Sequence, residues 1–176
     1  MHQHDAIAGL SMVFVLARAV TYSALFIGAL LVFLPDRILA RTGIAPPAAI
    51  GGWQIAGIAL GAAGAALTLA CILTFVFVGR GTPAPFDPPR QLVVRGPYRF
   101  VRNPMYLGAG FALAGAAGFY RSPPLLGYAV SFLLAMWLFV VLYEEPTLRQ
   151  TFDGDYEEYC RRTGRWWPRS AARRRR

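Results

Sequence analysis

From Ile50 to Val78 the chain runs for 29 residues without an Asp, Glu, Lys or Arg. A helix crosses the ~30 Å hydrocarbon core of a bilayer with about 20 apolar residues, and an uncharged run of this length belongs there rather than in a soluble interior. Pro46-Pro47 before it and Gly79-Arg80-Gly81-Thr82-Pro83 after it mark its limits. Three further apolar stretches fit the same solvent. Together they predict an all-α integral membrane protein with about four transmembrane helices, at residues 12–34, 52–78, 104–120 and 124–143.

Each stretch carries its own local signals. The first is interrupted once, by Arg18, whose long side chain can snorkel to the headgroups from near a helix end. In the second, Gly57 and Gly61 stand four residues apart with Gly64 following, small-residue spacing that lets helix backbones approach closely in lipid. Only Arg121-Ser122-Pro123 separates the third stretch from the fourth, so the two predict a tight C-terminal helical hairpin. Gly108-Ala109-Gly110 imitates the start of a dinucleotide fingerprint. Position 113, however, is Leu and no strand precedes it, which excludes a Rossmann reading.

Composition narrows the function classes. The chain is 56% apolar and 15% charged, and all 18 basic residues are arginine against 9 acids. Positive charge confined to the ends of apolar segments faces membrane phosphates rather than nucleic acid. Cys71 and Cys160 have no metal-binding or disulfide spacing, and the two histidines, His2 and His4, lie at the N-terminus; neither a metal centre nor a histidine-based triad is expected. Fourteen arginines fall between the second and third spans or after the fourth, against Arg37, Arg41 and Arg121 on the other side. Basic residues are retained in the cytoplasm, so both termini are expected there, in a bacterial inner membrane, with no removable signal peptide.

The chemistry-bearing residues cluster at this cytoplasmic edge. Asn103-Pro104 reads as a helix start, Asn as N-cap and Pro as first helical residue, and a helix start suits a carboxylate or phosphate. Glu144-Glu145 closes the fourth apolar run; two adjacent acids at membrane depth are a site candidate, with Arg149 placed to pair with Glu145 at i,i+4. Asp153-Gly154 reads as a turn and Asp155 as the N-cap of a short amphipathic helix. That helix is supported by Glu157/Arg161 and Glu158/Arg162 pairs, and Trp166-Trp167 follow at the interface.

The run Leu92-Val-Val-Arg-Gly-Pro-Tyr98-Arg-Phe-Val-Arg102-Asn-Pro-Met-Tyr106, followed by Glu144-Glu145, Leu148, Phe152, Tyr156 and Tyr159, resembles the isoprenylcysteine carboxyl methyltransferase and phospholipid methyltransferase superfamily. The resemblance implies a single membrane domain over 1–176 that uses S-adenosylmethionine. Its cofactor site would be formed by a cytoplasmic loop, 79–103, and a cytoplasmic tail, 144–169, with a basic end at 170–176. It places Arg90, Gln91, Leu92, Val93, Tyr98, Asn103, Pro104, Met105, Tyr106, Glu144 and Glu145 at cofactor contacts, and likens Gly79-Arg80-Gly81 to a Gly-x-Gly element. Asn103 stands where many members have His, and Val140 where an arginine is expected in the isoprenylcysteine enzymes, which disfavours a prenylated cysteine substrate. The acceptor expected is lipid-like or a small hydrophobe bearing a carboxylate, thiol or amine. A carboxylate or thiolate is mildly favoured, since no base near neutral pH is evident. Two other readings remain open: an NADPH-dependent membrane reductase, for which Arg90, Arg95, Arg99 and Arg102 would meet the phosphates, and a non-catalytic scaffold in contact with membrane lipids.

Overall fold

A computed structural model describes residues 20–79 and 91–169, together with positions 14, 17 and 18. Four helical segments account for most of it: α1 (Val20–Thr42), α2 (Gly52–Gly79), α3 (Pro104–Tyr120) and α4 (Pro123–Arg162). Among the described residues there is no strand, only an isolated parallel bridge between Val101 and Gly164. Three of the helices, α1, α2 and α4, are long and apolar enough to cross a membrane. The third, 17 residues long, rises about 26 Å at 1.5 Å per residue.

α2 and α3 pack along most of their lengths because their facing positions lack side chains. A Cβ on Gly64 would come within 2.5 Å of the Gly108 carbonyl oxygen, and one on Gly57 within 2.7 Å of that of Gly115. The small-residue spacing is therefore a helix contact, and Gly108, the first glycine of the false fingerprint, is its other half. α3 then turns through Arg121, in the left-handed region (φ 48°, ψ 45°), into α4. There the Ser122 hydroxyl accepts from the Leu125 N–H at 3.2 Å and Pro123 occupies the first turn. This is the expected hairpin. Ala109 and Leu113 of α3 meet Ala129 and Phe132 of α4, with Phe26, Leu30 and Leu31 of α1 against them. The Tyr128 hydroxyl donates to the Leu30 carbonyl at 2.9 Å.

Two boundaries differ from the sequence reading. α1 does not stop near Leu34; it continues through Pro35 to Thr42 and ends at Gly43, whose φ of 67° glycine adopts without strain. The turns Ile27–Phe33 just before the proline are π-helical, with the Leu34 N–H reaching the Ala29 carbonyl. A widened turn loosens the contact between a proline ring and the carbonyl four residues back that otherwise breaks a helix. α4 repeats the device. Its π-helical turn Val140–Glu144 precedes Pro146, so the helix passes through Glu144-Glu145 as far as Asp153, beyond which the expected short helix follows. The break expected at Asp153-Gly154 is present as a kink, Asp153 having φ 39° and ψ −120°.

Candidate functional site

The segment from Gln91 to Asn103 lies against the C-terminal end of α2 and the start of α3. Val93 and Tyr98 are buried with Cys71, and Leu67, Phe75 and Met105 pack around them. The Phe75 ring meets Tyr98 edge-on at 5.2 Å. Pro97 sits in a single 3₁₀ turn, Gly96–Arg99, entered through Gly96 at φ 58°. Hydrophobic burial thus anchors the loop from beneath. Cys71 and Cys160 are both free thiols.

The tail of α4 closes on the loop from the other side through a buried ionic cluster. Arg102 Nη2 lies 2.7 Å from Glu145 Oε1, and Arg165 reaches both Glu145 oxygens at 2.7 Å each. Arg102 also donates to the carbonyls of Cys160 and Thr163, and the Tyr159 hydroxyl donates to the Tyr98 carbonyl at 2.6 Å. Backbone bonds complete the joint: the Arg102 N–H donates to Gly164 O at 2.9 Å and the Asn103 N–H to Arg165 O at 3.3 Å. Its bond to the Glu145 carboxylate raises the Arg165 guanidinium above its ordinary pKa.

This geometry corrects several pairings read from sequence. Glu145 does not pair with Arg149 one turn on; Arg149 instead lies 3.4 Å from Glu157. Consequently Glu157 is not the partner of Arg161, which joins Arg162 on Glu158. The expected Glu158/Arg162 pair is present at 2.5 Å. The Asn103 side chain makes no capping bond; its Nδ2 donates to the Arg165 carbonyl at 3.2 Å. Asp155, two residues beyond the non-helical Asp153, makes no side-chain capping bond among the described residues. For Glu145, Glu157 and Asn103 a partner farther along the chain displaces the local arrangement.

Beneath the joint, Tyr106 in the first turn of α3 donates its hydroxyl to Glu144 Oε2 at 3.0 Å. Pro104 and Tyr106 are buried, and Val140, one turn before Glu144, is fully buried. Beside this cluster a cleft of about 590 Å³ opens between loop and tail, lined by Gln91, Leu92, Val94 and Arg99 on one side and Asp155, Glu158, Tyr159, Arg162 and Thr163 on the other. Gln91 and Leu92 are the sequence-predicted residues on its wall. Val93, Tyr98 and Met105 lie in the buried cluster, Tyr106 and Glu144 form the pair below, and Asn103 and Glu145 are engaged in the joint. Arg90 and the Arg80-Gly81 part of the Gly-x-Gly element lie outside the described residues. From sequence Arg99 was named only for the reductase reading, Asp155 and Arg162 were read as cap and ion-pair residues, and Arg165 was not selected, because their shared neighbourhood arises only when loop and tail meet. Among the described residues no three His, Cys, Asp or Glu side chains gather as metal ligands.

Comparison with known proteins gives these segments a common frame. No curated protein and no solved structure matches the chain. The profile of the phospholipid methyltransferase family matches residues 52–155, a stretch that begins with α2, takes in the loop and the hairpin, and ends at Asp155 on the cleft wall. Since that match spans more than half of the 176 residues and contains the helix pair, the Tyr106–Glu144 pair and much of the loop–tail joint, the chain belongs to the phospholipid methyltransferase family.

Proposed function

We propose that the protein is an S-adenosylmethionine-dependent methyltransferase that holds its cofactor between the loop and the tail and methylates a lipid-like or small hydrophobic acceptor at the cytoplasmic membrane face. The observation that carries this reading is the cleft itself, walled jointly by two segments joined by the Arg102–Glu145–Arg165 cluster and the bonds around it. At about 590 Å³ it falls within the size range of cofactor pockets. Its lining fits the cofactor's chemistry: Arg side chains for a carboxylate, acids for ammonium and hydroxyl groups, and a tyrosine ring.

When bound, the cofactor supplies an electrophilic methyl group on a sulfonium. The chain's task is then alignment and exclusion of competing water. Tyr98 and Tyr106 offer aromatic rings to a sulfonium by cation–π attraction. Glu144, already accepting from Tyr106, accepts in turn from ribose hydroxyls. Glu145 acts as a positioning residue, its oxygens engaged by Arg102 and Arg165. Acceptors carrying a carboxylate, thiol or amine all suit this arrangement, and the long apolar helices favour entry from the bilayer. The reductase and scaffold readings lack comparable support, since the family to which the chain belongs is one of methyltransferases.

Equilibrium binding of S-adenosylmethionine to the detergent-purified protein tests the proposal. Saturable binding, weakened at least about tenfold by Tyr106→Ala and by Glu144→Gln, is expected from loss of a charged hydrogen-bond partner. Absence of binding to folded protein overturns it.

A further inference from the structure

Four charged side chains line the cleft: Arg99, Asp155, Glu158 and Arg162. Two of them neutralise each other, Arg162 lying 2.5 Å from Glu158, where Arg161 joins the same carboxylate. Arg99 and Asp155 do not. The Arg99 guanidinium rests over the Phe100 ring at 4.5 Å, a contact that steadies the group without cancelling its charge. Asp155 has no ion pair or hydrogen bond among the described residues.

One cation and one anion that share a cleft without pairing are complementary to a dipolar ligand; a ligand with a single charge leaves one of the two facing a like charge or nothing. The placement of Asp155 is specific to this chain's backbone. The non-helical Asp153 resets the course of α4 two residues earlier, so the cleft wall follows that kink rather than the register of Glu145 to Phe152. At the start of α3, the donors of Asn103 are already engaged. There the Asn103 N–H and its Nδ2 both donate to the Arg165 carbonyl of the tail.

We propose that Arg99 and Asp155 clamp a zwitterionic α-amino acid group, the methionyl end of the cofactor, with its carboxylate on Arg99 and its ammonium on Asp155. This assignment rests on the methyltransferase reading and gives the two ends of the site distinct tasks. Tyr159 joins them, since it lines the cleft while its hydroxyl is bonded to Tyr98 beside the buried cluster.

The test compares two probes by calorimetric titration of the full-length protein in detergent. S-adenosylhomocysteine carries the amino acid group; 5′-methylthioadenosine shares the adenosine and thioether and lacks it. Asp155→Asn and Arg99→Gln are each expected to weaken S-adenosylhomocysteine at least about tenfold and to leave 5′-methylthioadenosine within about twofold. Retained binding of the second probe also reports an intact fold. Equal weakening of both probes, or no weakening of the first, overturns the clamp while the methyltransferase reading stands. Wild-type protein that binds neither probe overturns both.

Discussion

Glu144 and Glu145 are adjacent yet face different partners. A helix turns about 100° per residue, so Glu144 meets Tyr106 of α3 while Glu145 meets Arg102 of the loop and Arg165 of the tail. The Arg102 and Glu145 side chains are 9% and 7% exposed, whereas Arg165 is 34% exposed, and this difference sets the expected costs. Glu145→Ala leaves Arg102 buried without its carboxylate and is expected to lower stability by about 3–5 kcal/mol. Arg165→Ala keeps the inner pair and is expected to cost about 1 kcal/mol. Thermal unfolding in detergent ranks the two, and equal losses would show that the inner pair is not the anchor. Tyr159→Phe, which strips the bond to the Tyr98 carbonyl, is expected to cost about 1–3 kcal/mol in the same assay. Sequence singled out the acidic pair because carboxylates at a membrane edge are rare. It could not name the partners of Glu145, which lie 43 positions back and 20 positions on.

At the level of elements, the α2–α3 contact depends on absent side chains. Gly64→Ala places a methyl group against backbone that cannot yield as a side chain would, and it is expected to destabilise the protein by about 1–3 kcal/mol. Gly127→Ala, in α4 with open space at its Cβ position, is expected to be neutral or stabilising by up to about 1 kcal/mol through helix propensity. Unfolding of the two variants in a denaturing detergent titration checks the contrast; similar shifts would remove the glycine contact as the cause. The spacing of Gly57, Gly61 and Gly64 was legible because it announces a close approach. Its partner surface, Gly108 to Gly115 on α3, read only as an apolar run that opens on a false fingerprint. The two helix extensions were hidden for a different reason: proline ordinarily ends a helix, and the π-helical turns before Pro35 and Pro146 that let it continue leave no plain mark in the sequence.

Over the whole molecule, the loop and tail gather at one end of the helices, and the arginine distribution predicts that this end faces the cytoplasm. The two native cysteines provide a test without any engineering. Cys160, partly accessible on the tail, is expected to react with a membrane-impermeant maleimide in inside-out vesicles and to be protected in right-side-out vesicles; Cys71, fully buried, is expected to stay unlabelled in both. Labelling of Cys160 from the opposite side would invert the topology.

The sequence by itself determined the solvent, the helical class, the hairpin and the two segments proposed to carry the chemistry. Each of these follows from local features: uncharged length, turn residues and clustered polar groups at apolar ends. Only the tertiary structure decided how those segments meet. Arg102, Glu145 and Arg165 become one cluster, and Arg99 and Asp155 become two walls of one cleft, because the hairpin and the kinked tail bring distant positions together. The burial that makes those charges consequential is a property of the packed chain, and no window of sequence contains it.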